Sequence, residues 1–209
     1  KFGFDTPSGQ YVRKVSEDVI YLLKEPVQLQ TSPSHWIYKE LPSLESKNLA
    51  QIQIETAQGE KLRLFRLDEG KDFQLEGLAA DSGISLKQSE VQNLASVFSK
   101  FRFEDLLSAD SADVQASMTQ TTKVEYTTMS GLKLTAHVGV KAGSANRSGM
   151  KLQFENVGPS ADVAKLVKEY EQQFGGWALA ISEFSAKKFM KTREDLTQAS
   201  PVGAQHILV

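Results

Sequence analysis

The residues best suited to acid–base chemistry are two pairs of adjacent carboxylates. Glu104-Asp105 lies near the middle of the chain, and Glu194-Asp195 lies near its carboxyl end. Paired carboxylates act as acid and base when their surroundings push their pKa values apart. Neighbouring carboxylates in a polar turn are more often hydrated, so we expect neither pair to be catalytic.

Metal and cofactor chemistry has equally little support in the sequence. The three histidines, His35, His137 and His206, lie far apart with no H-x-x-x-H spacing, and cysteine is absent. Neither the serine-nucleophile motif G-x-S-x-G nor a glycine-rich phosphate loop occurs. The sequence therefore predicts no catalytic residue, no metal site and no cofactor, and we expect a protein that is not an enzyme.

Three aromatic residues are the candidates for contacts with a ligand or a partner. Trp36 and Trp177 each adjoin a strand-like stretch, and Tyr126 lies within one. Such rings either pack in the core or offer a stacking surface to a sugar or another planar ligand. The sequence alone leaves both roles open for each of them.

A basic cluster near the carboxyl end is the candidate for a membrane contact. Its members fall in a predicted helix and are Lys187, Lys188, Lys191 and Arg193. A basic helix face can bind anionic lipid. Because acidic residues flank the cluster and reduce its field, a solvated helix face is the simpler interpretation.

Composition indicates an ordinary globular protein. The chain has 209 residues, of which 40% are hydrophobic and 24% charged, with a formal net charge of −2. That charge makes nucleic acid an improbable partner, because nucleic-acid binding relies on a basic surface. No run of 18 apolar residues is present. Since the first residue is Lys1 rather than Met, we expect any signal peptide or anchor to lie upstream.

The elements that position these residues recur at one fixed interval. Residues Ile52, Ile54 and Gly59 have counterparts 72 positions later, and so do four apolar residues of a helix-like stretch. The later sets are Val124, Tyr126 and Gly131, and then Val163, Leu166, Val167 and Tyr170, which match Val91, Leu94, Ala95 and Phe98. A constant offset across strands and a helix predicts one supersecondary unit built twice.

Periodicity predicts the elements of each unit. Alternating apolar residues indicate antiparallel strands with one buried face, and a 3.6-residue period indicates the helices that cover it. We predict a hairpin over 11–15 and 19–23, strands near 49–56, 62–67 and 73–75, and a helix over 85–101 capped by Ser89 or Ser85. A polar connector over 110–122 follows, and then come strands over 124–128, 132–140 and 150–157. A helix capped by Ser160 or Asp162 comes next. The chain continues with a strand over 177–181 and a helix over 185–196.

The predicted fold class is α+β, because the strands come in runs and do not alternate strictly with helices. It consists of two repeated β-β-β-α units with antiparallel sheets, an N-terminal hairpin and a C-terminal strand and helix. The predicted division is 1–48 for the hairpin and connector, 49–110 for the first unit, 122–197 for the second unit with its final strand and helix, and 198–209 for a tail.

Several segments, in their order along the chain, carry a family resemblance. They are Gly9 to Lys14, Val19 to Leu23, Trp36 ahead of Leu41, Ile52-Gln53-Ile54 with Gly59, Leu94 to Leu106, Gly176 to Ile181, and Arg193 to Leu196. Together they resemble the bacterial domain-of-unknown-function 4340 family over residues 9–197. The resemblance implies a membrane-anchored protein whose soluble part lies on the periplasmic side of the inner membrane, associated with ABC-type transport of the gliding-motility kind. It carries over no catalytic residue.

Two functional hypotheses follow from these observations. The leading one is a non-enzymatic accessory or interaction domain outside the cytoplasm, with ABC transporter subunits as protein partners and an anchor upstream of Lys1. The alternative is a small-ligand or glycan binding module with its pocket between the two repeated units, where Trp36, Tyr126 and Trp177 would contact the ligand. An enzyme would require His137 or the Glu104-Asp105 pair to lie in a cleft. The oligomeric state is left open.

Overall fold

A computed structural model describes residues 9–25, 27, 39–79, 81–139 and 147–200. The chain divides into two compact units, Lys1–Ile37 and Tyr38–Val209. The first unit contains the predicted hairpin, in which β1 (Gln10–Arg13) pairs antiparallel with β2 (Ile20–Leu23). Tyr11 lies opposite Leu22 in this hairpin, and both side chains are exposed.

The second unit is built on one eight-stranded antiparallel sheet. Its order across the sheet is β5-β4-β3-β8-β9-β10-β11-β7. The strands are β3 (Leu49–Glu55), β4 (Lys61–Phe65), β5 (Gln74–Leu75), β7 (Asp105–Ser108), β8 (Thr121–Thr128), β9 (Leu132–Gly139), β10 (Arg147–Asn156) and β11 (Trp177–Ser182). A separate two-stranded sheet pairs β6 (Ile84–Leu86) with β12 (Thr197–Ala199). The α+β class is confirmed.

Five α-helices accompany these strands in the described residues. They are α1 (Gln88–Ala95), α2 (Ala112–Ser117), α3 (Ala161–Phe174), α4 (Glu183–Lys187) and α5 (Arg193–Leu196), with short 3-10 helices at Ser46–Asn48 and Val97–Ser99. Of the predicted caps, Ser160 is correct, since its hydroxyl accepts from the Val163 N–H at 3.3 Å. The capping prediction for the first helix is wrong, because Lys87 occupies the N-cap position without a side-chain hydrogen bond.

One face of the sheet forms the core. Its middle row runs across six strands in register, and every member is buried: Leu75, Leu64, Ile52, Tyr126, Leu134 and Phe154. The Tyr126 ring contacts Phe98, which follows α1, and the Phe154 ring contacts α3. Because both rings belong to this row, α1 and α3 cover the same face. The burial of each such side chain contributes about 1.5–3 kcal/mol to the stability of the fold.

Helix α2 lies on the opposite face, within the predicted connector 110–122. The Ser111 hydroxyl caps it, and Val114 and Ser117 are buried. Ser117 fits there because it faces two glycines, Gly139 of β9 and Gly149 of β10. A Cβ at Gly139 would lie 2.2 Å from the Ser117 carbonyl oxygen, and a Cβ at Gly149 would lie 2.6 Å from the Ser117 hydroxyl oxygen. A short polar helix of this kind leaves no strong periodic signal, which explains why the sequence pattern indicated a connector.

Two predicted helices are shorter in the structure. The stretch predicted as 85–101 contains β6, α1 and the 3-10 helix, and the stretch predicted as 185–196 is divided between α4 and α5. The Thr192 capping box starts α5 afresh, because the Thr192 hydroxyl and the Asp195 carboxylate each bond the other's backbone N–H.

Strands from both predicted repeat units lie in the same sheet, and they meet in two places, where β3 pairs with β8 and where β7 pairs with β11. Gln53 lies opposite Glu125 in the pair of β3 and β8, and these residues are 72 positions apart, as in the offset found in the sequence. The pairing of β3 with β8 therefore has a local two-fold relation about Gln53 and Glu125. The duplicated unit itself and the domain boundaries stay predictions.

Candidate functional site

The structure separates the three aromatic candidates. Tyr126 is completely buried, with its hydroxyl donating to the Leu94 carbonyl at 3.2 Å, so it packs in the core and offers no surface to a ligand. Burial raises the pKa of its phenol. Trp177 begins β11 opposite Ser108, and 46% of its surface is exposed. Trp36 lies outside the described residues.

The titratable candidates lie on different elements, Asp105 on β7, His137 on β9 and Asp195 on α5. Asp195 is used in the helix cap, and the Asp105 carboxylate accepts from the Leu106 N–H at 2.9 Å. His137 lies in the middle of β9, whereas His35 and His206 fall outside the described residues. No group of three His, Cys, Asp or Glu residues in the described part of the chain is arranged to hold a metal ion.

The basic cluster is partly neutralised by ion pairs. Lys187 pairs with Glu183 at 2.8 Å, and Lys191 pairs with Glu90 of α1 at 2.8 Å. The Lys188 ammonium lies 4.8 Å from the centre of the Phe184 ring. Lys187 and Lys188 are exposed, whereas Lys191 and Arg193 are half-buried.

The face of the sheet opposite α1 and α3 carries the main set of polar side chains, which we call the polar face. It consists of three rows in register across β4, β3, β8, β9 and β10. The rows are Lys61, Glu55, Lys123, His137 and Lys151; then Arg63, Gln53, Glu125, Thr135 and Gln153; then Phe65, Gln51, Thr127, Lys133 and Glu155. An antiparallel sheet with one packed and one polar face has this alternation.

Ion pairs hold the centre of the polar face. The Glu125 carboxylate lies 3.1 Å from the Lys123 ammonium and 3.0 Å from that of Lys133, which also reaches Glu155 at 3.1 Å. Only 14% of the Glu125 side chain is exposed. Its burial acts to raise the pKa of the carboxyl, but hydrogen bonds from Lys133 and Lys123 outweigh that effect and hold the pKa below its usual range.

His137 occupies an electropositive position in the first row. Its cross-strand neighbours are Lys123 on β8 and Lys151 on β10. Burial and the charge of Lys123 lower the pKa of the imidazole below 6.5, and the hydrogen bond with Gln153 and the charge of Glu125 only partly oppose this. The neutral form of the imidazole is therefore favoured at pH 7.

A depression of about 360 Å³ lies over β4, β3 and β8. Its charged lining consists of three cations and three carboxylates, paired as Lys61 with Glu55 (3.4 Å), Arg63 with Glu76 (2.7 Å) and Lys123 with Glu125 (3.1 Å). Among the described residues, no aromatic ring lines this depression. Charge and hydrogen bonding, and not stacking, would hold any ligand in this depression.

Sequence reasoning missed the polar face as a site, although it used the alternation that creates it. The predicted strands fixed which residues are buried, and every intervening residue must then point to the opposite side. What the sequence lacked was the strand order, because only the order β4-β3-β8-β9-β10 aligns these residues into rows.

Comparison with known proteins gives one finding. The model of the family described as domain of unknown function (DUF4340) matches residues 1–127, which is more than half of the chain. No curated protein and no solved structure matches the chain significantly. None of the helices in the described ranges has the length and apolar character needed to cross a membrane. Because this match covers more than half of the chain, the chain belongs to the DUF4340 family.

Proposed function

We propose that this chain is a non-catalytic interaction domain of a membrane-anchored protein, and that it serves an ABC-type transport system from the periplasmic side of the inner membrane. The observation that supports an interaction role is the polar face, with its three rows of side chains in register over five strands. The transport association and the location come from the family resemblance.

The polar face suits a protein partner because it is broad and its charges are held in place. Glu125, Lys123 and Lys133 are fixed by mutual ion pairs at 3.0–3.1 Å. Side chains that are already ordered lose little conformational entropy when a partner binds. Alternating charges across an interface favour one partner and one orientation over others.

The test places a photo-crosslinking residue at Gln153, which is exposed on the polar face. The matched control carries it at Lys165, which is exposed on α3 in the layer behind the sheet. In the membrane-bound protein in its native cells, we expect the first position to crosslink to a subunit of an ABC transporter and the second position not to do so. Equal yields at the two positions, or no transporter subunit from Gln153, would count against the proposal.

The depression over β4, β3 and β8 supports a second candidate function, the binding of a small polar ligand. Its lining combines Lys61 and Arg63 with Lys123 and Glu125, so both predicted repeat units contribute to it. Neutral oligosaccharides and zwitterionic amino acids match its balanced charge.

We expect a ligand of one of these classes to raise the unfolding temperature of the native chain. The same ligand should raise the unfolding temperature of the Lys151→Ala variant but not that of the Lys61→Ala variant. If no neutral oligosaccharide and no zwitterionic amino acid raises the unfolding temperature of the native chain, this candidate function is excluded.

A further inference from the structure

A groove of about 590 Å³ separates α1 and its following 3-10 helix from α4. Its lining includes three lysines, Lys100, Lys188 and Lys191, one carboxylate, Glu90, and the ring of Phe184. Lys191 and Glu90 neutralise each other at 2.8 Å. The remaining two lysines make this groove locally positive on a chain whose formal net charge is −2.

Phe184 projects from this positive surface into solvent. It is 72% exposed, although the helix that carries it is anchored through the buried residue Ala186, and Phe189, two residues after the helix, is buried as well. The Lys188 ammonium lies 4.8 Å from the ring centre. A single exposed ring is ordinary on a protein surface, but a ring with lysines on its groove side combines an apolar tip with positive charge.

We propose that this surface, formed by Phe184, Lys188 and Lys100, contacts the anionic headgroups of a lipid membrane. The boundary between headgroups and acyl chains accepts an apolar ring and flanking cations together, with the ring below the phosphates and the ammonium groups beside them. The charge pattern favours lipid over an acidic peptide, because an acidic peptide would pair with the lysines but give no cover to the ring.

This contact is weak by itself, since it combines one ring with two lysines. Each lysine near an anionic membrane surface strengthens binding by about fivefold. A weak contact is sufficient to orient a domain that is already held near a membrane. The inference does not depend on the polar face, which uses different residues on the opposite side of the sheet.

The experiment measures sedimentation of the 209-residue chain with vesicles. Vesicles of phosphatidylcholine alone are compared with vesicles in which a quarter of the lipid is phosphatidylglycerol, at low salt and at 0.5 M salt. We expect binding only to the anionic vesicles and loss of this binding at high salt. The double variant Lys100→Gln/Lys188→Gln should bind at least about tenfold more weakly, and Phe184→Ser should also lose affinity.

Matched controls are Lys151→Gln on the polar face and Lys165→Gln on α3, which in combination remove the same charge as the double variant and should leave binding unchanged. All five substitutions are at surface positions, and circular dichroism verifies that each variant is folded. Absence of binding to anionic vesicles would overturn the proposal, as would an equal loss in the controls. Binding to soluble polyglutamate with the same lysine dependence, but not to vesicles, would assign the surface to an acidic protein instead.

Discussion

Tyr126 shows how one residue can look like a ligand contact in sequence and act as a core element in structure. Its ring meets Phe98 edge-on at 5.1 Å, and its hydroxyl bonds to the Leu94 carbonyl. We expect Tyr126→Phe to lower the free energy of unfolding by about 1 kcal/mol through the lost hydrogen bond. Tyr126→Ala should lower the free energy of unfolding by about 3–5 kcal/mol, because it leaves a cavity in the core.

Urea denaturation measures both changes, with Trp177→Phe as the exposed aromatic control. That control should alter the free energy of unfolding by less than about 0.5 kcal/mol. A Tyr126→Phe protein as stable as the wild type would show that the buried hydrogen bond contributes nothing.

Arg66 and Arg63 allow a comparison between a buried and a half-buried arginine. The Arg66 guanidinium donates to the carbonyls of Leu49 (2.6 Å), Lys71 (3.2 Å) and Ser46, and it lies over the Phe73 ring. Its burial lowers the pKa of the guanidinium. Lysine cannot reproduce this planar set of donors, so we expect Arg66→Lys to cost about 1–3 kcal/mol of unfolding free energy.

Arg63→Lys is the control, because Arg63 makes an exposed ion pair with Glu76 at 2.7 Å. It should cost less than about 1 kcal/mol in the same denaturation measurement. Equal losses for the two substitutions would contradict the structural role assigned to Arg66.

His137 links stability to pH. Its pKa in the folded chain lies below the usual 6.5, mainly because of burial and then of Lys123. The unfolded chain therefore takes up the proton first, so this contribution to stability is complete above pH 6.5 and is lost as the pH falls through the folded pKa. We expect the free energy of unfolding to fall less steeply below pH 6.5 in His137→Gln than in the wild type. Parallel pH profiles from pH 8 to pH 5 would refute this assignment.

At the scale of elements, the close approach of α2 to the sheet depends on glycine. An alanine Cβ at Gly139 would lie 2.2 Å from the Ser117 carbonyl oxygen, so α2 must move away. We expect Gly139→Ala to lower the free energy of unfolding by about 1–3 kcal/mol. It should also speed amide hydrogen exchange across Ala112–Ser117. The control is Gly59→Ala, where φ is +87° and nothing lies within 4 Å. It should lose stability through its backbone alone, and fast exchange of α2 in this control would argue against the contact.

The elements differ in how well the sequence predicts them, and the reason is the length of the periodic signal. Strands β3, β8 and β9 alternate over seven or eight residues, and they form within three residues of their predicted bounds. Helix α2 has six residues and depends on glycines of distant strands, so no local pattern could reveal it. The polar face required the pairing of β3 with β8, which is a long-range property.

At the scale of the whole molecule, the two-fold relation stops at β7. Strand β7 begins 72 positions before β11, so it is the counterpart of β11 in the predicted repeat. The two-fold relation between β3 and β8 would therefore place β7 beyond β5, at the opposite edge of the sheet from β11. Instead, β7 pairs with β11 at the same edge. The sheet thus ends at β7 on one side and at the two-residue strand β5 on the other. Sequence offsets alone could not anticipate this placement, because it is decided by packing of the complete sheet.

The division into two units predicts which part of the chain folds by itself. Residues 38–209 contain all eight strands of the large sheet and the buried row from Leu75 to Phe154. We therefore expect a chain of residues 38–209 to unfold cooperatively, with a far-ultraviolet circular dichroism spectrum of mixed α and β type. Residues 1–37 contribute a two-stranded hairpin with exposed Tyr11 and Leu22, and two strands alone are rarely stable in water. We expect that peptide to be unstructured. If residues 38–209 unfolded without cooperativity, the eight-stranded sheet would not be a self-sufficient fold.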